Sequence, residues 1–243
     1  MSWAAPVIVA LGGATLIVLG RRLGAGTAHA SNPVISLNLR YQPLAFVVAL
    51  VAMLLVRVLV PDHADYLKVG DWSAPASGLG VLGVADGDSW TSVGLTFLVV
   101  MTAVTSVVVW LQVGRGRVTW TTALGALPWA LAFSVINALT EELLFRVTLA
   151  EALGPVMAAG WVAAISAVLF GVPHWFGNPG RIPGVLLAGF MGWFLTLSIL
   201  QTGGIGWAWT IHVVQDIVII TLLVAGARAR AHGTPAIHEE VAS

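Results

Sequence analysis

Long apolar stretches separated by short polar runs set the pattern of this chain. Seven can be marked, at residues 3–20, 42–60, 92–113, 122–153, 156–174, 184–201 and 205–226. Each reaches the length of about 17 residues at which a helix begins to cross a bilayer core. The pattern predicts an all-α, polytopic transmembrane helical bundle of about seven spans, with six and eight as its bounds. The fourth stretch is unusually long and carries Glu141, Glu142, Arg146 and Glu151 in its last third. It must tilt or project from the bilayer, or else Pro128 sets off a short separate segment near 122–129. The first stretch reads as a helix and not as a cleaved leader, because no cation precedes it whereas Arg21 and Arg22 follow it. Trp90, Trp110, Trp120, Trp175 and Trp207 fall near span ends, where indole rings favour the membrane–water interface.

The polar connections then fix an orientation. With seven spans, Arg21, Arg22, Arg40, Arg115, Arg117, Arg181, Arg228 and Arg230 all share one side, and Lys68 stands in a connection on the other, among Asp62, Asp65, Asp71, Asp86 and Asp88. The bias of cations toward the cytoplasm predicts an outside N-terminus and a cytoplasmic C-terminus. The chain divides into N-terminal spans with two polar loops (1–120), a membrane core (121–226) and a polar tail (227–243) expected to be disordered.

Composition agrees with a protein embedded in lipid. Of 243 residues, 58% are hydrophobic and 9% charged, against about 25% charged in soluble domains. The 11 basic and 11 acidic residues balance, and no basic patch points to nucleic acid. With no cysteine, disulfides, thiolate metal sites and a cysteine nucleophile are excluded.

Ionisable groups deep in membrane helices cost about 2.5–3.5 kcal/mol each on insertion scales and mark cavities or pathways. Here they are Glu141, Glu142, Arg146, His174, His212 and Asp216. In Asn137-Ala-Leu-Thr-Glu141-Glu142-Leu-Leu-Phe-Arg146, the i,i+4 spacing lets Glu142 pair with Arg146 and sets Glu141 toward Asn137. Two adjacent carboxylates in a dry site separate in proton affinity, as an acid–base pair requires; a purely structural Glu142–Arg146 ion pair is the alternative. Phe170-Gly-Val-Pro-His174 contributes one imidazole. In His212-Val-Val-Gln-Asp216 the carboxylate can fix the tautomer of the other. Two imidazoles with glutamate suit zinc, and equally suit holding a water and an oxyanion without metal. No serine or threonine stands out as a nucleophile, although Ser166 lies on the same stretch as His174.

These three motifs, in this order, resemble those of the CPBP family, the CAAX-processing and bacteriocin-processing (Abi) intramembrane endopeptidases, whose pattern is EExxxR, then FxxxH, then HxxxN or HxxxD. The resemblance covers roughly Pro128 to Ile220 and includes the small-residue turn before Trp209. It implies a central intramembrane catalytic cavity in a bacterial plasma membrane and a peptide or membrane-protein substrate. It also implies a water activated by Glu141, with Glu142 and Arg146 in support. His174 and His212 would bind water, oxyanion or metal. Any metal, zinc or another divalent ion, would sit on Glu141, His174 and His212; the family is described both with and without one. Asp216 stands where CAAX-processing members often have asparagine, so it is expected to orient His212 and not to donate to an oxyanion. The rival readings are a non-proteolytic scaffold or immunity protein on the same fold, and a proton-coupled transporter, for which no internal repeat is seen. A plain up-and-down arrangement leaves His174 and His212 about 15 Å apart in depth. The turn Thr202-Gly203-Gly204 is therefore expected within the bilayer, with the sixth span short or tilted.

Overall fold

The computed structural model describes residues 2–113, 118–177 and 180–233. It is all-helical, with seven helical stretches long and apolar enough to cross a membrane. The only strand-like feature among the described residues is a bridge between Pro75 and Ser89. Helix α1 spans Ala4–Ala25, α2 Pro33–Leu59 and α3 Trp90–Val113. A single rod then runs from Trp120 to Leu153, made of α4 (Trp120–Glu142), a π-helical turn (Leu143–Val147) and α5 (Thr148–Leu153). Helix α6 (Ala159–Gly171) ends in a 3₁₀ extension, Val172–Phe176, followed by α7 (Arg181–Thr202) and α8 (Gly206–Gly233).

Local chemistry accounts for these boundaries. Asn32 caps α2 by accepting from the N–H groups of Val34 (3.1 Å) and Ile35 (3.2 Å), with Pro33 in the first turn. The helix therefore begins at Pro33 and not at residue 42, because the polar Ser36, Asn38 and Arg40 lower its hydropathy without opposing helix formation. Thr119 and Thr122 form a reciprocal capping box at the start of α4. Pro128 lies in the interior of α4 and does not divide it. Helix α8 continues to Gly233, past the boundary expected at 227, while the rest of the tail, with Glu239 and Glu240, lies outside the described residues. So do Arg115 and Arg117.

Helix α4 packs along α8, and α6 along α7. Gly171 makes the second packing possible: a Cβ there would stand 2.8 Å from the Val185 carbonyl oxygen and 3.0 Å from Gly189 Cα. This close approach fixes the end of α6, from which His174 projects.

The connection between α2 and α3 is an ordered cover. Its backbone bonds to the α7–α8 turn through Asp71 N–H to Thr202 O (2.7 Å), Ile205 N–H to Lys68 O (2.8 Å) and Gly206 N–H to Val69 O (3.0 Å). Gly70 adopts φ +81° in this clamp, and a Cβ would stand 2.8 Å from both Gly204 N and Thr202 O, so glycine is required there. Gln201 exchanges hydrogen bonds of 3.0 Å with the backbone of Ser77 and accepts another from Trp90. Two corrections follow. The turn at 202–204 is covered by this loop, and of the two forms expected for the sixth span, short or tilted, the short one is not found, because α7 is a full 22-residue helix. Trp90 and Trp207, expected among lipid headgroups, are instead buried in protein, Trp207 against Trp72 at 4.6 Å between ring centroids. Trp110, Trp120 and Trp175 are exposed on the bundle surface.

Candidate active site

The site is assembled from α4, the end of α6 and α8. Glu141 and Glu142 close α4 immediately before the π-helical turn. In that turn the Thr148 N–H bonds back to Leu143 O, and the Thr148 hydroxyl donates to the same oxygen at 2.7 Å. Single π turns of this kind re-aim side chains within a helix. Adjacent glutamates project in different directions, and here their surroundings differ sharply. Glu142 is fully buried; its Oε1 accepts from Arg146 Nη1 at 2.6 Å and from His212 Nδ1 at 2.7 Å. Glu141 faces a cavity and stands 3.4 Å from His212 Nε2 through Oε2.

Both imidazoles are tethered through Nδ1. His174 donates from Nδ1 to the carbonyl of Phe170 at 2.7 Å, since a carbonyl can only accept. His212 donates from Nδ1 to Glu142. Each ring thus has its tautomer set from behind and its Nε2 left for the cavity. Phe170 lies between them, with ring centroids 4.5 Å from His174 and 5.9 Å from His212. The Arg146 guanidinium sits 3.9 Å from the centroid of the same phenyl ring, a cation–π contact that helps hold a fully buried cation.

The structure brings the expected residues together and changes their partners. Glu142 and Arg146 pair as expected. Asn137 does not turn to Glu141; its Nδ2 donates to Asp216 Oδ2 at 2.9 Å, and its Oδ1 accepts from Gln42 Nε2 at 3.1 Å. Gln42 in turn donates to Asn38 at 3.0 Å. Asp216 does not orient His212 through a hydrogen bond, since its Oδ1 lies 3.8 Å from Nε2; Glu142 performs that task through Nδ1. The i,i+4 spacing shows which residues share a face, but packing against α2 and α8 decides what each one meets. Ser166 is buried and donates to the Phe145 carbonyl at 3.1 Å, which removes it as a nucleophile.

Asn38 and Gln42, on a helix that sequence reasoning did not connect to the site, line it as well. The signal that could have found them is the one used elsewhere: two amides four residues apart in an apolar span.

Two cavities meet at this point. The first, about 240 Å³, runs between α2, α4, α7 and α8, with Glu141, His174, His212 and Asp216 in its wall. The second, about 320 Å³, lies between α1, α2 and the end of α6, and shares Glu141 and His174 with the first. Glu141 and His174 thus stand at the junction, open to both sides.

The donor types suit a divalent ion, but no three of the described histidine, aspartate and glutamate side chains converge as a ligand set. The described residues as arranged do not form such a site.

Residues 123–218 match a family model described as type II CAAX prenyl endopeptidase Rce1-like. The match spans all three motifs and bears out the resemblance they carry. Neither the curated proteins nor the solved structures contain a match to the chain.

Proposed function

We propose that the chain, whose residues 123–218 match the type II CAAX prenyl endopeptidase Rce1-like family model, is an intramembrane endopeptidase of the CAAX-processing type that cleaves with a glutamate-activated water. Glu141 is the general base. It takes a proton from water as the water oxygen adds to the scissile carbonyl carbon. It then returns that proton to the leaving nitrogen as the C–N bond breaks, giving a carboxylic acid and an amine. The Nε2 atoms of His174 and His212 border the same space. As neutral rings, with Nδ1 protons held by Phe170 O and Glu142, they accept from the attacking water and orient it. Glu142 and Arg146 hold His212 from behind, and Asn137 holds Asp216.

The observation that carries this reading is the division of the glutamate pair. One carboxylate lies open at the junction of two cavities beside an imidazole Nε2, while the other is sealed behind it on Arg146 and the Nδ1 of the same ring. A structural ion pair accounts for Glu142 but gives no reason for Glu141. The orientation follows the cations, with the N-terminus outside and the arginine-rich end in the cytoplasm. Cleavage of a prenylated CAAX-type peptide by purified protein in detergent or liposomes tests the proposal. The Glu141→Gln variant should lose about 10³-fold or more of the rate while keeping its thermal transition. Equal cleavage by wild type and variant would sink it, as would no cleavage by wild type.

A further inference from the structure

The two cavities at the Glu141–His174 junction differ in charge. The charged and titratable groups of the first are the carboxylates of Glu141 and Asp216 and the two imidazoles. The second has an apolar wall that includes Leu16, Ile17, Leu37, Phe145 and Phe176, with a guanidinium, Arg21, at its margin. Arg21 is exposed near the end of α1 and lies over the Phe176 ring, 5.3 Å from its centroid. An anionic chain end entering the first cavity would meet Asp216 as well as Glu141. Entering the second, it could pass the shared Glu141 and end on a cation.

We propose that the second cavity is the subsite for the segment released by cleavage, a short apolar peptide with a free C-terminal carboxylate, and that Arg21 binds that carboxylate. This rests on the endopeptidase reading above and adds a direction to it. The chain on the N-terminal side of the scissile bond occupies the first cavity, the scissile carbonyl sits at Glu141 and His174, and the C-terminal residues lie along α1 toward Arg21. The prenyl CAAX substrate class ends in such a segment, two aliphatic residues and a terminal residue after the modified cysteine. A volume of about 320 Å³ is of the size that small-ligand pockets offer. A guanidinium is the side chain best shaped to take a carboxylate in a bidentate fork.

The test compares a farnesylated pentapeptide ending in a free carboxylate with the same peptide ending in a carboxamide. Wild type should cleave the acid at least about tenfold more efficiently, mainly through KM, as loss of one charge-assisted carboxylate contact implies. Arg21→Gln should bring the acid-to-amide ratio close to one, and Arg21→Lys should restore part of it. Arg22→Gln, which removes a neighbouring cation that does not line the cavity, should keep the wild-type ratio. A second measurement reads the subsite without catalysis: binding of the free tripeptide Val-Ile-Met and its carboxamide, followed by thermophoresis of labelled protein. Acid-selective binding lost in Arg21→Gln supports the subsite even where no peptide is cleaved, an outcome that rejects the endopeptidase reading alone. Cleavage with no acid preference, or a preference that survives Arg21→Gln, overturns the subsite and leaves the endopeptidase reading standing.

Discussion

Glu142 and Glu151 lie on the same helical rod, both fully buried, and the rod uses them in opposite ways. Glu151 is closed off. Its Oε2 accepts from Arg57 Nε at 2.8 Å, and its Oε1 accepts from Arg57 Nη2 at 2.6 Å and from the Tyr66 N–H at 3.3 Å. This bidentate pair staples α2, α5 and the start of the cover loop. Glu142, equally buried, keeps part of its bonding capacity unused. Its Oε1 holds both Arg146 and His212, while its Oε2 and the Nε and Nη2 of Arg146 find no hydrogen-bond partner among the described residues. A buried charge that serves only the fold tends to have its bonding capacity used up. On the proposed reading Glu142 serves the reaction, and it is tied to a titratable neighbour, His212, with an acceptor to spare.

The contrast can be broken most directly at Glu142. Glu142→Gln should lower kcat/KM by about 10²-fold per folded molecule, the upper range for groups that orient a first-rank residue, because His212 loses the carboxylate that fixes its Nδ1 proton. Glu151→Gln should act on stability instead. Breaking a buried pair costs about 3–5 kcal/mol, reduced here to about 2 kcal/mol because Arg57 is partly exposed and keeps Asp65 at 3.5 Å. Its activity per folded molecule should stay within about twofold, as Glu151 and its partners Arg57 and Tyr66 line neither cavity. The two can be compared by peptide cleavage normalised to the folded fraction from thermal melts. Equal losses of activity in both variants would erase the distinction. The smallest effect is expected at Asn137→Ala, which frees Asp216 and should cost about fivefold in kcat/KM, read in the same assay; an unchanged rate would show that the amide chain from α2 is packing only.

Much of the site was legible because chemistry in an apolar span is conspicuous. Glu141, Glu142, Arg146, His174, His212 and Asp216 could be picked out as polar groups that lipid would not tolerate. What could not be read was which group answers which. The π turn after Glu142 leaves no hydrophobic signature, since Leu143, Leu144 and Phe145 suit an α-helix equally well. The start of α2 was masked by its own polar residues, and with it Asn38; Gln42, at the edge of the marked stretch, lost the partner four residues earlier that would have singled it out. The short form expected for the sixth span came from treating each helix as an upright rod, and the misplacing of the buried Trp90 and Trp207 from treating every terminal indole as a lipid anchor. Both errors concern how segments distant in sequence pack, which periodicity along one segment does not encode.

The clamp at Gly70 and Gly204 bears on more than the fold. A hydrolytic centre inside a membrane has to be wetted, and a wet path that crossed the whole protein would discharge the ion gradients the membrane maintains. Both cavities extend from Glu141 toward the end that carries Arg21, Asn38 and Leu223. At the other end the backbone weave of residues 68–72 with 202–206, backed by the packed indoles of Trp72 and Trp207, forms an insulating stopper. On the proposed reading, water reaches Glu141 from the Arg21 end, and this weave keeps the wet path from running through to the other side while a peptide bond is cut.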